Sequence, residues 1–278
     1  MDRETELAVI RRAYAKQTLA RAKVDNPQIE SAYADVRRED YLGPGPWQIF
    51  DLRGAYFPTP NGDPVYLYTD DLFGIVPERQ LNNGQPSLHA ALIASVLPKP
   101  GEHVVHVGAG VGYYSAVMAH LVRSSGRVTA IEFEPELAAR ARANFAQHTN
   151  VTVVEGDGAL VPFDTADVIY VNAGATAPAD TWLDRLADGG RLILPLTAMH
   201  RLGGVFRIER EGDDYAAKLI SPVAIFPCVG NRDAEAEKNL AAAFEKGGIQ
   251  NGTRLYRGAD IPDHRCWLRG RGWCLAYS

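Results

Sequence analysis

The 278-residue chain has no apolar run long enough to cross a membrane, only three cysteines, and no strong excess of either charge. The first absence argues against a protein spanning the bilayer on helices. The net charge of −5 argues against a polyanion-binding surface as the main feature. Cys228, Cys266 and Cys274 form an odd set without metal-ligand spacing, and no signal-peptide pattern precedes them. Reduced thiols in a cytoplasmic protein are therefore expected. His103 and His106 stand an odd step apart on a strand pattern, face opposite sides and make a poor metal pair, so no metal site is expected.

What is present is a repeated alternation of buried strand and helix. Residues 104–115 run from valines into Gly108, Gly110 and Gly112, then Tyr113 and a helix of small residues. Glycines at such a turn let the backbone approach a ligand closely, and the following helix offers unpaired amides to polar atoms. Arg127 to Ile131 read as a second strand ending in Glu132, about twenty residues on, where a carboxylate accepts hydrogen bonds from both ribose hydroxyls. Val151 to Val154 followed by Gly156-Asp157-Gly158, and Asp167 to Val171 followed by Asn172-Ala173-Gly174, repeat the pattern. Helical segments at 136–147 and 179–186 alternate with these strands, which implies a parallel sheet with its ligand crevice at the carboxyl ends. Asp157 then faces that crevice, placed to accept from an adenine amino group. Leu186 to Pro195 read as a helix end, a glycine turn and a further strand.

From about Leu81 to Leu196 the chain resembles the protein-L-isoaspartate O-methyltransferases. The resemblance rests on Gln85-Pro86-Ser87-Leu88-His89-Ala90, Pro100-Gly101, the glycine turn, Ile131-Glu132 with Pro135-Glu136-Leu137, Gly156-Asp157-Gly158 and Leu186 to Leu194. Upstream, Val36 to Leu42 is similar to the family's arginine, acid and aromatic segment. It implies an α/β Rossmann-like methyltransferase fold, a mostly parallel sheet with antiparallel terminal strands (203–208 and 218–226), plus N-terminal helical and C-terminal extensions. It also implies S-adenosyl-L-methionine as cofactor, S-adenosyl-L-homocysteine as product, and methylation of isoaspartyl carboxylates. Two places depart from the family. Asn82, Asn83 and Gly84 stand where threonine, a branched residue and an active-site serine are usual, and His106 replaces an acid.

The expected cofactor residues are Gly108, Gly110, Gly112, Tyr113, Glu132, Gly156, Asp157 and Gly158. Gln85, Ser87 and His89 are the candidate catalytic residues, with Asn82, Asn83, Asn172 and Gly174 on the substrate side. Asn-Asn-Gly is also turn sequence, and Ser87 is also placed to cap a helix over 88–97. A carboxylate acceptor is already ionised at neutral pH and needs no base; a hydroxyl or amine acceptor would call on His89 or His106. The acceptor is thus a protein or peptide carboxylate, or a small molecule methylated on oxygen or nitrogen. A non-catalytic cofactor-binding protein is the alternative outside enzymes, and a dinucleotide dehydrogenase fits the motifs less well.

Around the methyltransferase segment (81–226), residues 1–80 read as a helical segment to about residue 44, with Leu7, Ile10 and Tyr14 at helical spacing and a break at Gly43-Pro44-Gly45-Pro46, followed by an irregular aromatic stretch over 47–77. Its Tyr56, Phe57, Tyr66, Tyr68 and Phe73 either pack the loop or line a substrate mouth. Residues 227–278 read as a surface helix over 233–245 and a tail in which arginines alternate with Trp267, Trp273 and Tyr277. The acidic net charge and the hairpin-like Arg269-Gly270-Arg271-Gly272 favour short strands over nucleic-acid binding; such a tail covers the site or forms the edge of a homodimer. Asn61-Gly62, Asn83-Gly84 and Asn251-Gly252 are turn sequences prone to cyclise to isoaspartate, and ageing of Asn83 would make it a methyl acceptor.

Overall fold

The computed structural model describes residues 2–51, 54–198, 202–249, 253–258 and 261–277. They form two compact units, one of Met1–Gly101, Ala109–Val128 and Glu134–Val153, the other of Glu102–Gly108, Thr129–Phe133 and Val154–Ser278.

The first unit is mostly helical. α1 (Arg3–Ala22) begins where the Asp2 carboxylate accepts from the Thr5 amide, and ends at Lys23 in the left-handed conformation. Of its periodic residues Leu7 and Tyr14 are buried and Ile10 is half-buried. Asn26 caps α2 (Pro27–Asp35), with proline at the first helical position where no amide is needed. The short α3 (Glu39–Leu42) follows. The stretch over 47–77 is more ordered than its sequence suggests. β1 (Gln48–Phe50) pairs antiparallel with β2 (Tyr56–Pro58), and β3 (Gly74–Val76) pairs with β4 (Leu81–Asn82). α4 (Pro86–Val96), α5 (Tyr113–Val122) and α6 (Pro135–Asn144) complete the unit.

Arg38 holds this unit together. Its guanidinium is fully buried, 5.1 to 5.6 Å from the ring centres of Phe73, Tyr113 and Tyr14. Its Nη1 donates to the carbonyls of Leu67 and Thr69. A planar cation suits this place, because it spends its charge on ring faces and on backbone oxygens that no strand or helix partner satisfies.

The second unit carries a sheet of ten strands. They are β5 (His103–Val107), β6 (Arg127–Glu132), β7 (Val151–Glu155), β8 (Ala166–Val171), β9 (Leu186–Thr197), β10 (Leu202–Glu211), β11 (Asp214–Ala224), β12 (Thr253–Arg257), β13 (Cys266–Gly270) and β14 (Trp273–Tyr277). β6 and β7 belong to this unit by their carboxyl-terminal residues. The order is β13-β14-β12-β11-β10-β9-β8-β5-β6-β7. β5, β8 and β9 run parallel, and every pairing from β9 outward to β13 is antiparallel. β5 is buried at all positions, as expected of a strand covered on both faces, and carries His103 and His106 among its valines. α7 (Asp180–Asp184) and α8 (Ala234–Lys246), the latter capped by Asp233, belong to this unit.

Two expectations are corrected. The helix expected to end at Leu186 stops at Asp184, and the Asp188-Gly189-Gly190 turn lies inside β9, where Leu186 pairs with Ala166 and Arg191 already with Val168. The extra residues bulge out of the ladder, with Gly189 at φ +70°. The C-terminal tail adds strands beyond β11 at the end of the sheet away from β5. Finally, Cys266 and Cys274 are not free thiols. They sit on paired antiparallel strands with Cα atoms 6.1 Å apart and are joined in a disulfide, while Cys228 remains a buried thiol. A cross-hairpin pair is not visible in cysteine spacing, because its geometry exists only once β13 and β14 are paired. Asn251-Gly252 lies outside the described residues. Among the described residues no helix is long and apolar enough to cross a membrane.

Candidate active site

In the second unit the strand ends converge through backbone hydrogen bonds. Gly108, at φ +75°, donates to the Ile131 carbonyl (2.9 Å), and Gly156 donates to the Glu132 carbonyl (2.9 Å). Asn172 donates its amide to Val107 (2.8 Å) and its Nδ2 to the Gly108 carbonyl (3.4 Å). A β-carbon on Gly108 would lie 3.2 Å from the Asn172 carbonyl, and one on Gly158 only 2.3 Å from Val107. These glycines are thus set by close approach between neighbouring turns. Glu132, 6% exposed, ends β6 inside this cluster.

Asp157 divides its carboxylate. Oδ1 accepts from the Ala159 amide (2.9 Å), the turn bond its sequence suggests. Oδ2 faces Gly230, where a β-carbon would come within 2.0 Å. Gly174 is taken up structurally. Its amide donates to Phe226, and its carbonyl accepts from Cys228 and from Arg232, which also bonds Thr197. Gly174 thus anchors the segment over 226–232, an arrangement set by long-range contacts that the sequence does not announce.

The first unit holds the remaining residues. Gly110 (φ +58°) and Gly112 (φ +97°) continue the turn, and Gly112 precedes α5 with Phe145 where its β-carbon would be. The Tyr113 side chain is buried among Arg38, Tyr33 and Tyr41, so only its backbone remains for a ligand. Asn82 accepts the Gly84 amide (2.9 Å) on its side-chain oxygen. Asn83 is buried and pairs with Phe73 through both its amide and its Oδ1. Ageing of Asn83 by attack of the next amide is therefore opposed twice, by burial of Asn83 and by the bond that holds the Gly84 amide.

Gln85 and Ser87 converge on Asp70, a residue the sequence reading missed. Ser87 donates its amide to Asp70 Oδ1 and its hydroxyl to Oδ2, both at 2.7 Å, Gln85 Nε2 reaches Oδ2 at 2.9 Å, and Arg21 pairs with it at 3.0 Å. Asp70 thus caps α4 from outside, and Ser87 is not the cap. The one hint in the sequence is negative: Gln85 before Pro86 is a poor capping residue. Beside this carboxylate lies a cavity of about 470 Å³.

His89 explains the glycine at position 84. Side chains near a helix start lean toward the amino terminus, so residue 89 lies back over 84 and 85. A β-carbon on Gly84 would lie 2.2 Å from His89 Nε2. The imidazole stacks on Tyr114 at 3.7 Å between centres, and the Tyr114 hydroxyl donates to the Gly84 carbonyl (3.1 Å). The imidazole therefore fills the space a side chain at 84 would need.

His106 offers no base. It is fully buried on β5, edge-on to Tyr170, and burial pushes its pKa down to about 3. His103 has separate partners, the Thr165 carbonyl and the Thr129 hydroxyl, each at 2.9 Å. The depressed pKa of His106 has a consequence for stability. Unfolding raises it toward about 6.5, so the unfolded state binds the extra proton and stability is lost as the pH falls below that value. Between about pH 7 and pH 5 this one group should account for about 2 kcal/mol of the decline in urea-unfolding free energy. His106→Leu should remove that share of the slope; an unchanged slope would mean that His106 does not stay neutral in the fold.

Comparison with known proteins places this geometry in context. Residues 53–233 match the family described as Protein-L-isoaspartate(D-aspartate) O-methyltransferase (PCMT). A protein-L-isoaspartate O-methyltransferase of Methanoregula boonei is 30% identical over 227 residues, covering 79% of this chain and 93% of the relative. A solved protein-L-isoaspartate O-methyltransferase superposes with a TM-score of 0.65 at 21% identity, covering 96% of this chain and 85% of its own. A beta-aspartate methyltransferase from Plasmodium falciparum, solved with S-adenosyl-L-homocysteine, gives a TM-score of 0.63 at 18% identity, covering 80% and 99%.

Proposed function

The chain belongs to the protein-L-isoaspartate (D-aspartate) O-methyltransferase family, and from that premise we propose that it transfers a methyl group from S-adenosyl-L-methionine to the carboxylate of isoaspartyl residues in proteins or peptides. The observation that carries the reading is the cluster of strand-end turns inside the matched region, with Gly108 bonded to the strand that ends in Glu132, and Glu132 bonded to Gly156.

The residues present suit that cofactor. Gly108, Gly110 and Gly112 all hold positive φ, the backbone conformation that favours glycine and that such a ligand-binding turn requires. Glu132 supplies a carboxylate for the two ribose hydroxyls, and Asp157 one for the adenine amino group. Gly230 keeps a side chain away from Asp157 Oδ2.

The cofactor supplies an electrophilic methyl on a positively charged sulfur. Transfer breaks the sulfur–methyl bond and forms a carboxyl oxygen–methyl bond; the sulfonium becomes a neutral thioether and the carboxylate an ester. No proton moves, so a chain whose His106 is buried and neutral is not handicapped. The protein's task is to position the carboxylate and exclude water. Asn82, Gln85 and Ser87 flank the acceptor, the last two fixed by Asp70, with His89 packed beneath Gly84.

The test is radiolabelled methyl transfer to an isoaspartyl peptide and its aspartyl counterpart. Base-labile label on the isoaspartyl peptide alone is the expected result. Transfer to neither, from protein that binds S-adenosyl-L-methionine in calorimetry, would overturn the acceptor assignment in favour of a small molecule.

A further inference from the structure

The cavity beside Asp70 lies entirely within the first unit, and much of it is built from the segments ahead of the glycine turn. Tyr14 and Tyr68 form one corner, their rings 5.5 Å apart and edge to face. Phe50, Arg21, Asp71 and Gln85 also line it. Its volume, about 470 Å³, is that of a site for a small ligand or a large side chain.

The wall over 67–72 is held at nearly every residue. Arg38 takes the carbonyls of Leu67 and Thr69, Phe50 donates to Leu72 (2.9 Å), and the Tyr68 hydroxyl donates to Glu39. Asp70 is saturated by Ser87, Gln85 and Arg21. The charges of Asp70 and Arg21 cancel. Asp71 is different, being exposed and without an ion pair among the described residues. Arg38 lies behind Tyr14, with its charge spent on rings and carbonyls. The lining therefore combines a buried aromatic corner with one exposed carboxylate that no guanidinium neutralises. That is the chemistry that takes an alkyl chain ending in a cation.

Gln85 fixes what such a cation belongs to. It lines the cavity and directly follows Gly84, in the loop assigned above to the acceptor. We infer that the cavity is a subsite for a basic side chain, lysine or arginine, flanking the isoaspartyl residue of a peptide substrate, with Asp71 as its charge partner. The inference rests on the proposed activity and gives a role to the aromatic stretch over 47–77.

Two pairs of isoaspartyl peptides test it, alike except for lysine or glutamate at the residue before or the residue after the acceptor. In at least one pair the lysine peptide should show a KM about tenfold below that of the glutamate peptide at low salt. Asp71→Lys, an exposed substitution compatible with folding, should reverse the order. Transfer to all peptides with equal KM would overturn the subsite and leave the activity standing, as would a preference for lysine that Asp71→Lys leaves untouched. Transfer to none would remove the activity and the subsite together.

Discussion

Trp182→Ala should lower the free energy of unfolding by about 3 to 5 kcal/mol, the range for deleting a large aromatic side chain from a closed core. Trp182 is 0% exposed, among the largest fully buried side chains, and it belongs to the core formed by Val105, Ile169, Leu192 and their neighbours. It also donates its indole nitrogen to the Gly158 carbonyl at 2.7 Å. The substitution therefore opens a cavity and leaves a buried carbonyl unpaired, and both penalties act together. The second effect falls on the turn that carries Asp157. Trp182→Phe separates the two terms, because it keeps most of the apolar volume and loses the donor; its cost should be about 1 to 2 kcal/mol. Urea unfolding of the three proteins, with calorimetry of S-adenosyl-L-methionine, reads both quantities. An alanine variant within about 1 kcal/mol of the parent would mean that α7 is not integral to this core.

Glycine at 158 is demanded by the same packing, since a β-carbon there would strike Val107. The requirement is partly visible in the sequence, where Gly156-Asp157-Gly158 follows a strand pattern. Signals of this kind survive because they are local: an apolar run, a break, and a residue type that only the break requires. Gly108, Gly112 and Glu132 are legible for the same reason, each lying a fixed distance from the strand that presents it.

Asp70 is not legible, because the helix it caps begins sixteen positions later, and nothing around Thr69 or Asp71 marks a capping role. The pairing of Gly84 with His89 is hidden for a related reason. Both residues are visible, but the contact depends on the lean of helical side chains and on Tyr114, brought in from α5. The disulfide between Cys266 and Cys274 needs the β13–β14 pairing before its geometry exists. The bulge at Gly189 shows the converse error. A glycine pair that looks like a turn between elements is absorbed inside β9, because Arg191 regains the register with Val168.

Glu132→Ala should weaken S-adenosyl-L-methionine binding by about 1.5 to 3 kcal/mol, roughly a 10- to 150-fold rise in Kd. The carboxylate ends β6, and its residue's carbonyl already holds the Gly156 amide, so the backbone around it is fixed by bonds the substitution does not touch. The turn should persist while the acceptors for the ribose hydroxyls disappear. Glu132→Gln is the sharper variant. It keeps the size and one acceptor oxygen but places a donor where the second hydroxyl needs an acceptor, so its loss should fall between those of the parent and the alanine variant. S-adenosyl-L-homocysteine should lose affinity in parallel, because the ribose is common to both and the missing methyl is remote from it. The discriminating quantity is the comparison with the sugar contact removed. 2′-Deoxy S-adenosyl-L-homocysteine should bind the parent more weakly than the ribose form does, yet show a much smaller difference from it in Glu132→Ala, since the partner of that hydroxyl is already gone. Equal penalties for the deoxy ligand in both proteins would place the ribose elsewhere and remove Glu132 from the cofactor site.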